Sequence, residues 1–415
     1  MTHRFPLDGK ESVTRAIQAA VAAAGAAAPT PPAKPLTQVG DPAWRRRYRR
    51  AFRELTRLAG PDGNPAMARA GLDVLTSAAM TQASSTPSSP NGVNAMPDER
   101  ADSGRSQPVS PVPTHTRGID PRLLTEEGQQ ALEAVTRDPS SWSCPARTIV
   151  ILGAGAELAP TIPLLLAGAH VHAVMRSTST RRAHLHKVAA SAAGTLTFAP
   201  DHLGDVLADP SALADHLADL PGEIALVNAL YSPGRTHVHL ALAAHLVASR
   251  VLAKRPGTPV MLLGTPTDSY WVDGSLLDAS LAPQGPNYLA AKRIERWSAE
   301  VLADDGARVI APVLPPTRTA SVLVSNRIET ALRGAQMFGI HAAEPAFAAG
   351  LAASWLIAGL NTSSLRPWTG WAAPYGMWSR LPSATIRLTL GYLAGTLGLR
   401  GNRNRSSAPK GSPAS

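Results

Sequence analysis

The chain of 415 residues is long enough for two or three average domains, and hydrophobic residues make up 44% of it, enough for a sizeable core. Its formal net charge of +10 favours anionic partners such as nucleotides, nucleic acid or lipid headgroups without choosing among them. The single cysteine, Cys144, excludes an intramolecular disulfide and a cysteine-rich zinc site, and no apolar run approaches the roughly 20 residues that span a bilayer.

Residues 1–78 are predicted to form a helical, partly disordered N-terminal region. One helix is predicted over residues 16–28, which are rich in alanine, and a second over residues 44–59, before a Gly-Pro-Asp-Gly stop. The arginines of the second helix either contact phosphates or form a solvated face, and we favour the solvated face. They are Arg45, Arg46, Arg47, Arg49 and Arg50.

The alanine-rich stretch loosely resembles a signal or transit segment. Because the acidic residues Asp8 and Glu11 precede it, we expect a cytoplasmic protein, with organellar targeting as the alternative.

Residues 79–118 are dominated by Ser, Pro, Asn, Gly and Thr. Such a segment cannot bury enough apolar surface to offset its ordering entropy, so it is predicted to be a flexible linker. Residues 401–415 are predicted to be a disordered tail for the same reason. The globular domain is therefore expected over residues 119–400.

Between residues 146 and 360, short runs of β-forming apolar residues alternate with longer segments rich in alanine and leucine. This alternation predicts an α/β fold, a doubly wound parallel sheet of six or seven strands covered by helices on both faces, which is a Rossmann fold. The helical extension and the disordered linker precede it. The predicted strands are residues 148–152, 170–175, 195–198, 224–228, 259–263 and 308–313.

A turn of small residues follows the first predicted strand, in the sequence TIVILGAGAELAP. Small residues let the backbone approach a pyrophosphate, whose charge is then expected at the N-terminus of the next helix. Gly153, Ala156 and Ala159 have a three-residue spacing. In the alternative GxGxxG alignment, Gly153 and Gly155 fit and Leu158 does not.

Charged residues near this turn bear on cofactor choice. Glu157 would repel a phosphate, whereas Arg176 and Ser177 follow the second strand, where an arginine suits the 2′-phosphate of NADP(H) and an acidic residue suits NAD(H). Arg181 and Arg182 can add to the same patch. We therefore expect NADP(H) to be preferred, with NAD(H) as the alternative.

Tyr288 and Lys292 lie four residues apart in PNYLAAKRIERW, a segment of helical length. This spacing places both side chains on one face of a helix, one turn apart. There, the ammonium group is expected to lower the pKa of the phenol from about 10, so that Tyr288 can donate a proton near neutral pH.

These segments, in this order over residues 146–325, resemble the short-chain dehydrogenase/reductase superfamily. Tyr288 and Lys292 match its YxxxK pair, which likewise follows the fifth strand. Gly153 begins a turn similar to the GxxGxxG turn of the extended branch, with alanines replacing two glycines. The losses of glycine mark the chain as an outlying member.

Two shorter segments also resemble the superfamily. Asn228 and Ala229 match the start of its NNAG segment, which borders the adenosine ribose, with Leu230 replacing the glycine. Pro315 matches a Pro-Gly segment that lies over the nicotinamide, with Pro316 replacing the glycine. Thr317 and Thr319 are then candidate contacts.

The resemblance implies an NAD(P)H-dependent oxidoreductase that interconverts a carbonyl and an alcohol by hydride transfer. Tyr288 would be the general acid or base, Lys292 would hold the nicotinamide ribose, and Thr265 would position the carbonyl oxygen. Ser275 is the alternative for that third role, and Thr267 and Ser269 are also open. The expected cofactor-binding residues are Gly153, Gly155, Ala156, Leu158, Arg176, Ser177, Asn228, Ala229, Lys292, Pro315 and Thr317.

Two other functions stay open from sequence alone. One is a non-catalytic NADP(H)-binding sensor or scaffold, which Glu157 and the missing glycines favour. The other is an adaptor that binds nucleic acid or membrane through its basic N-terminal helices.

We expect a small-molecule partner and no nucleic acid, and whether the protein forms an oligomer stays open. None of the twelve histidines lies in a familiar metal spacing, so no metal site is predicted.

The segment after Trp368, Trp371 and Trp378 has the length and pattern of an amphipathic helix. It can rest on a membrane surface as a peripheral contact, close the substrate pocket or pack in the core, and the three interpretations stay open.

Overall fold

The computed structural model describes residues 10–83, 124–144, 146–265, 267–272, 274–278, 285–322, 326–338, 342–361 and 384–398. Most of the predicted linker, all of the predicted tail and the three C-terminal tryptophans lie outside the described residues.

A six-stranded parallel sheet forms the centre of the molecule. Its order is β3-β2-β1-β4-β5-β8, so the chain starts in the middle, builds one half and then crosses to build the other. This order and the parallel pairing are those of the Rossmann fold, as the sequence predicted. The strands are β1 (Arg147–Leu152), β2 (His170–Val174), β3 (Thr195–Phe198), β4 (Glu223–Asn228), β5 (Val260–Leu262) and β8 (Val309–Ile310).

Helices cover both faces of the sheet because alternate residues of each strand point to opposite sides. The helices are α1 (Lys10–Ala26), α2 (Trp44–Ala59), α3 (Pro65–Ala83), α4 (Glu126–Arg137), α5 (Thr161–Leu166), α6 (Arg181–Ser191), α7 (Pro210–Ala218), α8 (Arg235–Lys254), α9 (Pro286–Asp304), α10 (Asn326–Ala335), α11 (Pro345–Asn361) and α12 (Ala384–Thr396). Ile149 and Ile151 face α5, α6 and α11, whereas Val150 and Leu152 face α7, α8 and α9. None of these described helices is both long and apolar enough to cross a membrane.

The N-terminal helices α1–α3 pack on the outer side of α8 and α9. They share one buried cluster with those helices, in which Phe52 and Leu72 lie together with Trp297. Gly71 is the closest point, since a Cβ atom there would lie 2.6 Å from the Trp297 ring. The arginine face of α2 is turned outward, and its opposite face carries the buried residues Trp44, Tyr48, Ala51, Phe52, Leu55 and Thr56.

A buried ion network ties α2 to α9. The Arg293 guanidinium donates to the Phe52 carbonyl at 3.0 Å and to the Thr56 hydroxyl at 2.7 Å, and it pairs with Asp268 at 2.7 Å. The Trp271 indole donates to the Thr56 carbonyl at 3.0 Å. Because an unpaired buried charge is costly, these contacts hold the N-terminal helices firmly on the domain.

Three local features differ from the sequence prediction. Residues 79–83, assigned to the linker, belong to α3, because Ala79 is buried against α1 and α9. An antiparallel hairpin of β6 (Ser269–Val272) and β7 (Ser275–Asp278) separates β5 from α9. The last strand is only Val309–Ile310, because prolines beyond it lack the N–H groups that a ladder needs.

Candidate active site

The turn after β1 lies close to the backbone of the residues that follow β4. Gly153 has a φ of +78°, and a Cβ atom there would lie 3.0 Å from the Ala229 carbonyl oxygen, which follows β4. Its amide donates to the Val174 carbonyl at 2.9 Å. Glycine is therefore required at this position. At Gly155, a Cβ atom would lie 2.9 Å from the Met175 methyl group, which is the flexible end of a side chain and can shift, so glycine is not required here.

The rest of the turn departs from the predicted phosphate site. The amides of Ala156 and Ala159 donate to the carbonyls of Gly153 and Ala156, at 2.9 and 3.1 Å. The next helix, α5, begins only at Thr161 and is six residues long. The turn is therefore longer than expected and so short a helix carries little dipole, and a pyrophosphate at this helix N-terminus stays a prediction.

The Glu157 carboxylate lies in the turn and is held from two sides. It accepts a hydrogen bond from the Ala320 amide at 3.0 Å and lies 3.6 Å from the Arg181 guanidinium. Ala320 belongs to the loop after β8, so this contact joins the turn to the loop. A negative charge here is partly balanced by its own partners before any ligand approaches.

The basic patch after β2 is smaller than predicted. Arg176 and Ser177 are exposed beside the turn. Arg182 instead pairs with Asp201 at 2.6 Å and lies over the Phe198 ring at 4.4 Å. Arg176 is therefore the arginine of this patch that faces solvent without a described partner.

Asn228 ends β4 beside the turn. It is 6% exposed, its side-chain oxygen accepts a hydrogen bond from the Leu230 amide at 3.1 Å, and its Nδ2 is buried without a hydrogen-bond partner in the described structure. Ala229, also predicted at this position, is buried and borders Gly153. An unpaired buried donor is uncommon, so this one is suited to a ligand oxygen.

Tyr288 and Lys292 lie in the first two turns of α9, on the face directed at β5. The Lys292 ammonium donates to the carbonyl of Leu263, the residue after β5, at 3.3 Å. Thr265, two residues further, lies beside Tyr288, and its side chain lowers the pKa of that phenol. The structure thus brings the three predicted catalytic residues together at the carboxyl edge of the sheet.

The other candidates for the third role are placed differently. The hydroxyls of Thr267 and Thr265 lie 2.9 Å apart. Ser275 pairs with Val272 in the β6–β7 hairpin, so it lies in a strand. Ser269 is buried at the start of β6.

Two titratable residues beside Tyr288 were not predicted. The Glu295 carboxylate accepts from the Lys292 ammonium at 2.8 Å, and its other oxygen lies 3.6 Å from Nε2 of His237. The ring centroid of His237 lies 5.2 Å from those of Tyr288 and Tyr231. Glu295 was visible in the sequence as a charge three residues after Lys292, whereas His237 on α8 has no local signal.

Burial dominates the electrostatics of this cluster. It raises the pKa of Tyr288, and the opposing effects of Lys292 and Thr265 do not reverse this. The prediction of a lowered pKa for Tyr288 is therefore wrong in net direction, although Lys292 acts with the expected sign. Burial also lowers the pKa of His237.

The buried ion pair keeps both of its members charged. Burial lowers the pKa of Lys292, but Glu295 and Tyr288 raise it by more, so it lies above the ordinary value. Burial raises the pKa of Glu295, but Lys292 and His237 lower it by more.

The loop after β8 lies over this edge of the sheet. Its Leu314 amide donates to the Gly264 carbonyl at 2.9 Å, and the Thr317 hydroxyl donates to the Pro315 carbonyl at 2.8 Å. Thr319 is buried. Pro315 and Thr317 thus follow the strand next to β5, as predicted.

A cavity of about 410 Å³ adjoins the glycine turn on the side of α5, α6 and α11. Gly155, Ala156 and Arg181 line it, together with apolar residues such as Ile162 and Ala349. Tyr288 and Lys292 do not line it. It lies beside the region predicted for the cofactor and away from the predicted proton donor.

Comparisons with known proteins found structural similarity alone. No protein-family model and no curated protein matches the sequence. BdcA in complex with NADPH is 18% identical, with 55% of this chain and 94% of that chain covered at a TM-score of 0.39. An A-type ketoreductase of a modular polyketide synthase is 17% identical over 60% of this chain and 54% of that chain, at a TM-score of 0.42.

A third solved structure, vestitone reductase from alfalfa (Medicago sativa L.), is 18% identical over 49% of this chain and 70% of that chain, at a TM-score of 0.34. Identities and TM-scores this low add nothing to the fold assignment, which rests on the strand order and parallel pairing of the sheet.

Proposed function

We propose that this protein is an NAD(P)H-dependent oxidoreductase that interconverts a carbonyl and an alcohol, with NADP(H) as the preferred cofactor and NAD(H) as the alternative. One observation carries the proposal. Tyr288, Lys292 and Thr265, from α9 and from the segment after β5, meet at the carboxyl edge of a Rossmann sheet, where ligands bind in this fold.

The residues at this edge fit a dinucleotide. Gly153 lets the backbones that follow β1 and β4 come close together, and the unpaired Nδ2 of Asn228 beside them suits a ribose or phosphate oxygen. The exposed guanidinium of Arg176 suits a 2′-phosphate. Glu157 is the opposing feature, and its contacts with Ala320 and Arg181 reduce the repulsion that it exerts.

NADP(H), when bound, supplies the hydride for reduction of a carbonyl and accepts it in the reverse direction. Tyr288 holds a proton at its hydroxyl near neutral pH, because burial keeps its pKa above the ordinary value. It is therefore ready to donate in reduction, and it must first lose that proton in oxidation. Thr265 and Lys292 both favour the charged form of Tyr288, so they stabilise the phenolate left after donation.

A second candidate is a non-catalytic NADP(H)-binding sensor or scaffold. Two observations favour this alternative. Lys292 is already paired with Glu295 at 2.8 Å, and the Glu157 carboxylate already lies in the turn where a phosphate would bind. In this alternative, the site binds NADP(H) and turns over no carbonyl substrate.

Substitution of Tyr288 by Phe tests the proposal. A panel of ketones and aldehydes with NADPH identifies a substrate, and the turnover of Tyr288→Phe should then fall by roughly 10²–10⁴-fold, because general acid catalysis contributes about that much. Tyr48→Phe, a buried tyrosine on α2, is the matched control and should retain turnover. Wild-type turnover by Tyr288→Phe would show that the mechanism is wrong.

The same assay tests whether Thr265 or Ser275 positions the carbonyl oxygen. Thr265→Ala should lower turnover less than Tyr288→Phe does, and Ser275→Ala should have almost no effect; the reverse order would transfer the role to Ser275. Binding of NADPH without turnover across the panel would favour the sensor.

A further inference from the structure

The proposed reaction leaves unused two buried titratable side chains that lie beside Tyr288 and Lys292. Glu295 lies on α9, one turn after Lys292, and its side chain is 4% exposed. His237 lies on α8 and is fully buried. A carboxylate removed from water is strongly destabilising unless charged or hydrogen-bonding groups surround it. The contacts of Glu295 therefore indicate what it does.

Those contacts point to the catalytic lysine. One oxygen of Glu295 accepts from Lys292 at 2.8 Å, and the other faces the His237 ring at 3.6 Å. The Lys292 side chain is 10% exposed, and its other described hydrogen bond, to the Leu263 carbonyl, is longer at 3.3 Å. Glu295 is thus the negative charge that balances the Lys292 ammonium.

His237 closes the opposite side of the carboxylate. Its burial lowers its pKa, so it is neutral near pH 7 and adds no second positive charge. Its ring packs edge-on against Tyr288 and against Tyr231, which is partly exposed. The groups that face the Lys292–Glu295 pair are therefore Tyr288, Tyr231 and His237, with Thr265 beside Tyr288.

We propose that Glu295 is a positioning residue that fixes the ammonium of Lys292 between its own carboxylate and the Leu263 carbonyl, and keeps it charged beside Tyr288. The catalytic meaning of this role rests on the proposed function. A second consequence follows from the sign of the charge. Glu295 offsets part of the field with which Lys292 acts on Tyr288, in agreement with a Tyr288 pKa that stays high.

Nuclear magnetic resonance of the lysine side chains tests the proposal without a substrate. The full chain has six lysines, so ¹³C labelling of their ε-carbons gives few signals, and Lys292→Met assigns one of them. In Glu295→Gln, the Lys292 ammonium should lose its proton at a pH lower by roughly 1–3 units, because an adjacent opposite charge shifts a pKa by about that much. Glu295→Asp should restore most of the wild-type behaviour.

Glu300→Gln is the matched control. Glu300 is a buried carboxylate on the same helix, but it pairs with Arg296 at 3.3 Å, so its loss should leave the Lys292 signal unchanged. Identical titration of Lys292 in wild type and Glu295→Gln would overturn the proposal. If Glu295→Gln does not fold, the wild type decides: Lys292 should remain protonated at the pH of about 10.4 where an ordinary lysine loses its proton, and earlier loss of its proton would overturn the proposal.

The outcome is independent of turnover. A shifted Lys292 signal in a protein that reduces no carbonyl would sustain the role of Glu295 and count against the oxidoreductase. An unshifted signal in an active enzyme would count against the role of Glu295 and leave the oxidoreductase proposal standing.

Discussion

Arg176 and Glu157 have opposite effects on an anion at the glycine turn. Arg176 is exposed and follows β2, where an acidic residue would favour NAD(H). Glu157 is partly balanced by Arg181 and the Ala320 amide. We therefore assign the proposed preference for NADP(H) over NAD(H) to Arg176.

Arg176→Asp should weaken the preference for NADPH over NADH. A charge-assisted contact with the 2′-phosphate contributes roughly 1.5–3 kcal/mol, so the ratio of the two dissociation constants should fall about tenfold or more. Fluorescence titration with each cofactor measures this ratio. Lys187→Asp, an exposed charge change on α6, is the control and should leave the ratio unchanged. Equal affinity of the wild type for both cofactors would remove the assignment.

Sequence spacing predicts which side chains meet at this site, but not how they titrate. Tyr288 and Lys292 were placed on one face of a helix correctly. The direction of the Tyr288 pKa was not predictable, because it depends on burial by α8 and by the segment after β5. The role of Glu295 was not predictable for the same reason, since a lysine and a glutamate three residues apart on a helix usually form a solvated pair.

Helices α8 and α9 pack face to face and bury a second histidine. His245 of α8 is hydrogen-bonded to the Ser298 hydroxyl of α9 at 3.0 Å, and burial lowers its pKa to about 4. In the unfolded chain, His245 binds a proton as the pH falls below about 6.5, whereas in the folded protein it stays neutral until about pH 4. The stability contributed by neutral His245 is therefore fully present above pH 6.5 and is lost as the pH falls toward 4.

His245→Gln should flatten the dependence of stability on pH. In the wild type, this residue alone should lower the free energy of unfolding by about 2 kcal/mol between pH 7 and pH 5, since one pKa unit corresponds to about 1.4 kcal/mol. Urea unfolding at both pH values measures the difference. The exposed His184→Gln variant is the control and should unfold like the wild type. An unchanged difference in His245→Gln would contradict the argument.

The elements of the sheet were more predictable than its surroundings. Parallel strands buried on both faces are continuous apolar runs, so β1 to β5 lie within a residue or two of their predicted bounds. The β6–β7 hairpin was missed because its two short strands mix polar and apolar residues and are not continuous apolar runs. The length of the turn before α5 was missed because small residues tolerate many backbone paths.

The N-terminal helices are part of the packed molecule, although their sequence looks like an appendage. Their apolar faces are covered by α8 and α9, and Arg69 pairs with Asp304 and Asp305 at 3.1 and 2.8 Å. These contacts join residues more than two hundred positions apart, so no local pattern reveals them. Their place on α9 links them mechanically to the helix that carries Tyr288.

Limited proteolysis tests this arrangement. The composition of residues 84–118 predicts cleavage there first, and a fragment beginning near residue 120. Because α1–α3 share a buried core with α9, the two fragments should stay bound and co-elute in size-exclusion chromatography until denaturant is added. Separation of the fragments in native buffer would contradict the packing. Protection of the segment throughout digestion would contradict the linker.

A crystal structure of the full chain with NADPH tests the central claim most directly. The account predicts density for the dinucleotide along the turn between Gly153 and Ala159, with its ribose oxygens near Asn228 and its nicotinamide ring beside Tyr288 and Lys292. NADPH bound elsewhere, or no density at a concentration that saturates the protein in solution, would contradict it.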